Sequence, residues 1–514
     1  MNFRIIIAFL LLSLFQSAIA QNTPEPVRIE IESNAEVIQL IPCGETGALV
    51  FYETINQPDP QNTTWFFIFY NNKLEPVWSR EIPVITNALY QDKFIQDENI
   101  FIAFQQINRK KTAEYNFQVI SLNVSNADMS SVNTEVPDKA ELIRFTITGE
   151  KLIAGFNLNN DQAFLLNKDL ITGEEIRTDF SDRPSFIKDV KSIPDLNRIM
   201  VSLNIYISRR ESTTYLNTYD FSGNLVHSLP LTPSQPTEKL LNAQLHFLEA
   251  DNLYVLGSYN NLNGKTARAE DTYQSELSEG FFIAKVSGNE QKFLRTHSLA
   301  SFENITRILN NQQLASAGNT LKKQAKKGKE QSLNYDFLIH DLIVHNNEFI
   351  LLADAYYPEY RQISSLSYDF YGRPMPYYYT IFDGYRYFNA FVVGFDKEGN
   401  LLWSNGMKIW DIQSMQLSRK TAFHIDGSDM VLFYNHNGQI VSKMFNGIHD
   451  IGGTENTKIA TSFPDDLQIE ASQGMVSHWY DNYFLASGYQ TLQNSKSASK
   501  NRRTIFYMNK IIFD

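Results

Sequence analysis

FNAFVVGFDKEGNLLWSNGMKI, residues 388–409, reads as two strands joined by a turn. Phe391 to Phe395 run apolar, Asp396, Lys397, Glu398, Gly399 and Asn400 interrupt them, and Leu401, Leu402 and Trp403 resume. A short polar turn with a glycine between two apolar runs is the pattern of a tight β-hairpin. Related stretches recur as FFIFYNNKLEPVWSREI from Phe66, AFLLNKDLITGEEI from Ala163, TYLNTYDFSGNLVHSL from Thr214 and GFFIAKVSGNEQKFLRTHSL from Gly280. One hairpin repeated along a chain predicts a repeat fold.

Marked at the first strand of each hairpin, the repeats fall at Phe67, Phe117, Phe164, Tyr215, Phe282, Phe391, Val441 and Phe506. The first three intervals are 50, 47 and 51 residues (117 − 67, 164 − 117, 215 − 164), close to the ~40–50 residues of one four-stranded propeller blade. Beside each marker lies a second run, among them NIFIAFQQI from Asn99, KLIAGFNL from Lys151, RIMVSLNIYI from Arg198, EFILLADAYY from Glu348 and DMVLFYNHN from Asp429. Runs apolar at nearly every position belong to strands covered on both faces, as the inner strands of a blade are. Ala103, Gly155, Gly257, Ala353 and Gly488 within such runs leave room for close packing of neighbours. The expected fold is all-β, a single propeller of seven or eight four-stranded blades. VRIEIES from Val27 and MNKIIFD from Met508 are the strands expected to close the ring. Tandem β-sandwiches are the competing architecture, but no Pro/Ser-rich linker or compositional break divides the chain.

Residues 1–20 carry Arg4, an apolar run from Ile5 to Phe15 broken by Ser13, and Ala18-Ile19-Ala20 ahead of Gln21. That is the pattern of a secretory signal peptide, so residues 21–514 are expected to form the exported propeller. The formal charge of −12 becomes −13 once Arg4 is removed, which argues against nucleic acid as a partner. No other stretch is long and apolar enough to span a bilayer as a helix. Cys43 is the single cysteine, which excludes an internal disulfide framework and a multi-cysteine zinc site. Burial is expected to make its thiol unreactive.

The rhythm breaks between Phe282 and Phe391, where two inserts lie. Residues 301–334 hold a stretch with Ile305, Ile308, Leu309 and Leu314 near helical spacing, with Ser301 as a possible cap, followed by Lys322, Lys323, Lys326, Lys327 and Lys329. A short helical, Lys-rich insert is expected there, with Lys322, Lys323, Lys326 and Lys327 as a secondary basic contact or a solvated loop. Residues 356–388 contain 13 Tyr or Phe interleaved with Pro358, Pro374, Pro376, Arg361, Arg373 and Arg386. So many amphipathic rings on a connection are expected either to pack on themselves as a lid or to meet a partner. The contact set expected here is Tyr357, Tyr360, Arg361, Tyr371, Arg373, Tyr377, Tyr378, Tyr379, Tyr385 and Arg386.

Chemistry is harder to find. Nine histidines are scattered, and His340 and His345 fall on opposite faces of a strand, so no metal pair follows. HExxH, GxSxG and phosphate-cradling glycine loops do not occur. Asp354, Asp383 and Asp396 are carboxylates that a hydrolase or lyase would need in pairs, but Asp396 sits where it serves a turn. The expectation is therefore no catalytic residue, no metal and no cofactor.

GFDKEGNLLWS and its relative TYDFSGNLVHS resemble the blade repeat of quinoprotein-like secreted propellers. The resemblance implies hairpins closed by Asp, Gly and Trp, yet Trp stands at such a position only at Trp78 and Trp403, so a bound quinone is not expected. The signal followed by Gln, the acidity and the Asn and Tyr richness are similar to exported proteins of Bacteroidota-type bacteria, whose propellers often attend outer-membrane assemblies. The likeness implies a location in the periplasm or at the cell surface. On these grounds the expected function is a non-enzymatic interaction module binding another envelope protein, with carbohydrate binding through stacked Tyr rings as the alternative.

Overall fold

The computed structural model describes residues 28–32, 37–54, 62–106, 115–208, 211–249, 252–261, 277–302, 335–368, 371, 373–463, 465–494, 496 and 502–513. They form eight antiparallel sheets. In chain order the blades start at Ile38, Leu89, Glu141, Ser185, Glu238, Asp336, Thr421 and Leu467. The eight hairpin markers, Phe67 to Phe506, each fall on the third strand of a different blade. Eight, rather than seven, is the blade number.

The ring is closed by the two segments expected from sequence. Arg28–Ile31 pairs antiparallel with Arg503–Ile512 as the outermost strand of blade 8, Ile29 opposite Met508 and Ile31 opposite Phe506. Charge reinforces the closure. Arg503 bridges Glu30 and Asp466 at 3.0 and 2.6 Å, and Arg28 donates to Gln490, Asn509 and the carbonyl of Ala460.

Each gap between adjacent blades holds its own apolar core, so eight cores alternate with eight sheets. Between blades 5 and 6, Phe281 and Ile283 pack on Phe349, Leu351 and Phe391. Between blades 8 and 1, Leu485, Phe506 and Met508 meet Ile38, Val50 and Tyr70. A buried Leu or Phe stabilises the fold by ~1.5–3 kcal/mol, and here both faces of the second and third strands contribute. That is why Lys151–Asn157 is buried at every position after Lys151. Gly155 admits the neighbouring blade, since a Cβ there would lie 2.6 Å from Val190 Cγ2. Gly257 serves its own blade, its missing Cβ making room for the carbonyl of Asn242, where the first strand of blade 5 is interrupted.

The third-to-fourth-strand turns explain the recurring Asp and Gly. Asp396 accepts from the backbone N–H of Glu398 and Asn400 and from the Asn400 side chain, while Gly399 takes a φ of +77°. Asp220 repeats this with Ser222, Asn224 and Gly223. These are Asx turns, in which a side-chain carboxylate replaces a backbone acceptor. Asp396 is thus a turn residue.

A second recurring position joins blades. The seventh residue of the second-strand run is polar and buried in Gln105, Asn157, Asn204, Asp354 and Asn435. Gln105 donates to the carbonyl of Ala140, and Asn204 to those of Leu240 and Leu241. Asn157 donates to the carbonyl of Ile187 at 3.1 Å and accepts its N–H at 2.8 Å. Asp354 accepts from the backbone N–H of Lys420 and the hydroxyl of Thr421, and Asn435 donates to the carbonyl of Met475. In every case the partner is the first strand of the next blade or the residues leading into it.

Residues 303–334, with Lys322, Lys323, Lys326 and Lys327 and the expected helical stretch, lie outside the described residues. Residues 356–388 differ from expectation. They are not a connection: Glu348–Tyr368 and Pro374–Phe395 continue the second and third strands of blade 6 without a break in either strand. Rings stand at consecutive positions, as at Tyr377, Tyr378 and Tyr379, so both faces of the ribbon carry them.

Asn157→Leu removes both partners of the Ile187 peptide and is expected to lower the unfolding free energy by roughly 2–4 kcal/mol, because buried unpaired N–H and C=O groups each cost about 1–3 kcal/mol; urea denaturation measures it. Cys43 is buried, and burial pushes its thiol up to about 12 against the opposing charge of Lys93. A native-state thiol titration is expected to label it only as fast as the protein unfolds.

Candidate functional site

In an antiparallel blade the ends of the second and fourth strands lie on one side of the ring, and the ends of the first and third on the other. The second side is plain. Its turns include Gln96 to Asn99, Thr148 to Lys151, Ser287 to Glu290 and Asn446 to His449. The first side carries the elaborations: the chain leaves the described residues there after Asn261 and Phe302, returns at residues 277 and 335, and extends the ribbon of blade 6.

The ribbon is a β-arm. Register holds from Tyr360 opposite Phe382 through Ser364 opposite Tyr378 to Tyr368 opposite Pro374. Residues directly opposite share a face and neighbours along a strand alternate. One face therefore presents Tyr360, Leu366, Tyr378 and Phe382, and the other presents Ile363, Met375, Tyr377 and Tyr379. The rings are exposed on both faces, with Tyr360 at 61 %, Tyr377 at 62 % and Tyr371, at the tip, at 80 %. Tyr377 and Tyr379 stack at 5.9 Å.

A third strand, Leu401–Ser414, supports the arm only as far as Tyr385, which pairs with Ser414. Beyond it the arm is two-stranded. At that point the register slips between Glu359 and Tyr360, and Gly384 adopts a φ of +111° with the carbonyl of Ser414 too close for a Cβ. Arg386 binds Glu359 at 2.8 Å and reaches Gln413, while Arg361 lies 3.5 Å from Asp383. A chain of ring contacts runs from Tyr360 to Phe382, Tyr385, Tyr356 and Tyr387. Tyr387 is buried and exchanges hydrogen bonds with the backbone of Ser418.

The expected contact residues therefore divide. Tyr357, Tyr360, Arg361, Tyr371, Arg373, Tyr377, Tyr378 and Tyr379 are exposed on the arm, whereas Tyr385 and Arg386 are half-buried in its root. Burial first, and then the charge of Glu141, the first residue of the innermost strand of blade 3, raises the Tyr385 hydroxyl.

Around that axis lies a second group of residues. First strands, which touch one another, contribute Asp92, Lys93, Arg144, Asp189, Lys191 and His246; Asp341 and Arg419 stand beside the first strands of blades 6 and 7. Arg419 forms a two-point pair with Asp341 at 2.6 and 3.1 Å, and Arg144 Nε lies 3.5 Å from Asp189. Burial by itself raises Asp341, but the hydrogen bonds and charge of Arg419, with Arg144 and Lys191, hold it well below the usual carboxylate range. Burial raises Asp189 despite Arg144 and the N–H of Leu245. His246 is pushed down to about 4, by burial first and then by Lys191 against the opposing Asp341. A cavity of about 290 Å³ opens beside it, lined by Lys191, Leu245, His246, Phe247, Leu248, Leu342 and Val344. None of these was a candidate from sequence. The signal was present as isolated charges within otherwise apolar first strands, as in ELIRFTIT and SFIKDVKSI, but nothing local says that they converge.

His340 and His345 act separately, His340 on Asp354 at 3.1 Å and His345 on the carbonyl of Gly427 at 3.2 Å. Asp354 is filled by His340, Thr421 and Lys420 and has a joining role. Among the described residues no three His, Cys, Asp or Glu gather where a metal would bind, and no helix is long and apolar enough to cross a membrane.

No family model and no curated protein matches the chain. Solved structures similar to it include the β-propeller domain of the Trilobed protease from Pyrococcus furiosus, 10 % identical over 82 % of this chain and 96 % of that one, with a TM-score of 0.33. The WD40 domain of SCAP from fission yeast is 7 % identical over 94 % and 98 %, TM-score 0.40. Dihydro-heme d1 dehydrogenase NirN is 9 % identical over 94 % and 79 %, TM-score 0.41. At these scores the likenesses carry no argument; sheet order and the eight inter-blade cores carry the architecture.

Acid is expected to reveal the axial group. The unfolded His246 titrates near its ordinary value, and the folded one near 4, so between these values the unfolded chain binds the extra proton and stability falls as pH falls. Above pH 6.5 the contribution is fully present. His246→Asn is expected to flatten that slope between pH 6.5 and 4, measured as midpoints of urea unfolding.

Proposed function

We propose that this propeller is a non-enzymatic exported binding module, an accessory of a cell-envelope assembly at the outer membrane, that grips a protein partner with the β-arm of blade 6. The observation that carries the reading is the exposure of Tyr360, Tyr371, Tyr377 and Tyr378 on an arm that extends beyond the blade's fourth strand. Two-stranded ribbons are marginal in water, and exposed apolar rings mark contact surfaces. Tyr and Arg bury much area at low entropic cost, which is why they dominate binding hot spots. A partner that covers the arm supplies the packing that the third strand, ending at Ser414, withholds.

Export rests on residues 1–20 and the envelope setting on the Bacteroidota-type likeness of composition. Lys322, Lys323, Lys326 and Lys327 belong to the segment leaving the same side of the ring, where they add a basic contact on an acidic protein. Carbohydrate is the alternative ligand, favoured by the parallel stacking of Tyr377 on Tyr379.

Arg361 and Ile381 are opposite each other in register, so Gln362 to Thr380 can be replaced by a two-residue turn without disturbing the root. The shortened protein is expected to melt within a few degrees of the parent but to lose co-purification of its partner from native membranes. Retained co-purification refutes the proposal. Saturable binding on a glycan array that is lost in Tyr377→Ala transfers the arm to carbohydrate.

A further inference from the structure

We infer that the cavity beside His246 holds a small amphiphilic monocarboxylate, its head between Lys191 and His246 and its apolar body along Phe247, Leu248 and Leu342. The charges around the axis come first. Arg144, Lys191 and Arg419 act on His246 together with one carboxylate, Asp341, and Arg144 also meets Asp92 and Asp189. The carboxylates are already engaged. Asp341 is held by both guanidinium nitrogens of Arg419. Asp189 accepts from the N–H of Leu245 and of Val190 beside Arg144, and Asp92 accepts from the N–H of Lys93. Among the described residues no hydrogen bond or ion pair engages the Lys191 ammonium, although the side chain lines the cavity.

His246 lines the same wall. Kept neutral by burial first and then by Lys191, it retains one ring N–H to donate beside the ammonium, and a carboxylate accepts from both. The remaining walls are apolar: Phe247 and Leu342 are half-buried, and Leu248 and Val344 are exposed at the mouth.

These walls select the ligand. Inorganic phosphate or sulfate has no use for an apolar wall and loses hydration beside it, whereas a carboxylate with a short hydrocarbon chain satisfies both halves. A cavity of 290 Å³ equals roughly ten waters at ~30 Å³ each, which suits a chain of about eight carbons. Access is from the plain side. Lys191, Leu248 and Val344 lie toward the ends of their first strands.

Calorimetric titration of the full exported chain with sodium octanoate tests this, with inorganic phosphate as the second probe. One saturable site for octanoate is expected, weakened at least tenfold by Lys191→Gln and by Leu248→Asp, with no comparable heat from phosphate. The proposal is overturned by absence of saturable octanoate binding, by affinity unchanged in Lys191→Gln, or by phosphate binding as tightly as octanoate. Should Lys191→Gln not fold, Leu248→Asp decides alone, because Leu248 is exposed at the mouth and its substitution leaves the core intact.

Discussion

The ring depends on one buried polar side chain at each of five of its eight junctions. A polar side chain near the end of a blade's second strand reaches across an apolar gap and binds backbone at the start of the next blade. Apolar packing between sheets is strong but tolerant of sliding, since a hydrophobic face accepts many registers. A buried amide with one place to bind is not tolerant, because any slip strands its donor in a medium without water. Packing therefore supplies the stability and the bridging side chains supply the rotation from one blade to the next.

Closure follows a different logic. At the junction of blades 8 and 1 the bond runs from Trp479 to the carbonyl of Gly47, and the last sheet is completed by Arg28–Ile31 from the other end of the chain. Arg503, shared between Glu30 on that strand and Asp466, ties the closing strand to the first strand's approach in the same blade. The covalent ends of the domain are thus held by a ladder, two ion pairs and an apolar core together. An opening of the ring must break all three.

On this frame the two sides of the wheel diverge. Among the described residues, strands ending on the plain side are joined mostly by short turns. Strands ending on the other side run on, most of all in blade 6, where the ladder that builds the blade also builds the arm. The arm is rigid at its root, where Tyr387, Arg386 and the third strand hold it, and open beyond Gly384. Asp354 stands at the boundary, joining blade 6 to blade 7 at the level where the second strand leaves the ring.

Period and polarity along the chain were enough to disclose the repeated hairpins, all eight third strands, the turn role of Asp396 and the two closing strands. These are local properties: alternation, turn chemistry and buried runs are written in consecutive residues. The same reading mistook residues 356–388 for a connection, because a stretch with rings at consecutive positions has no single apolar face and looks alike in a lid and in a ribbon exposed on both faces. The axial charges were invisible for another reason. Asp92, Arg144, Lys191, His246 and Arg419 are separated by dozens of residues, each a lone polar side chain in its own strand, and only the turning of successive sheets around one axis sets them face to face. Composition and spacing decided the building unit; the angle between units, which no single strand encodes, decided what the centre of the ring contains.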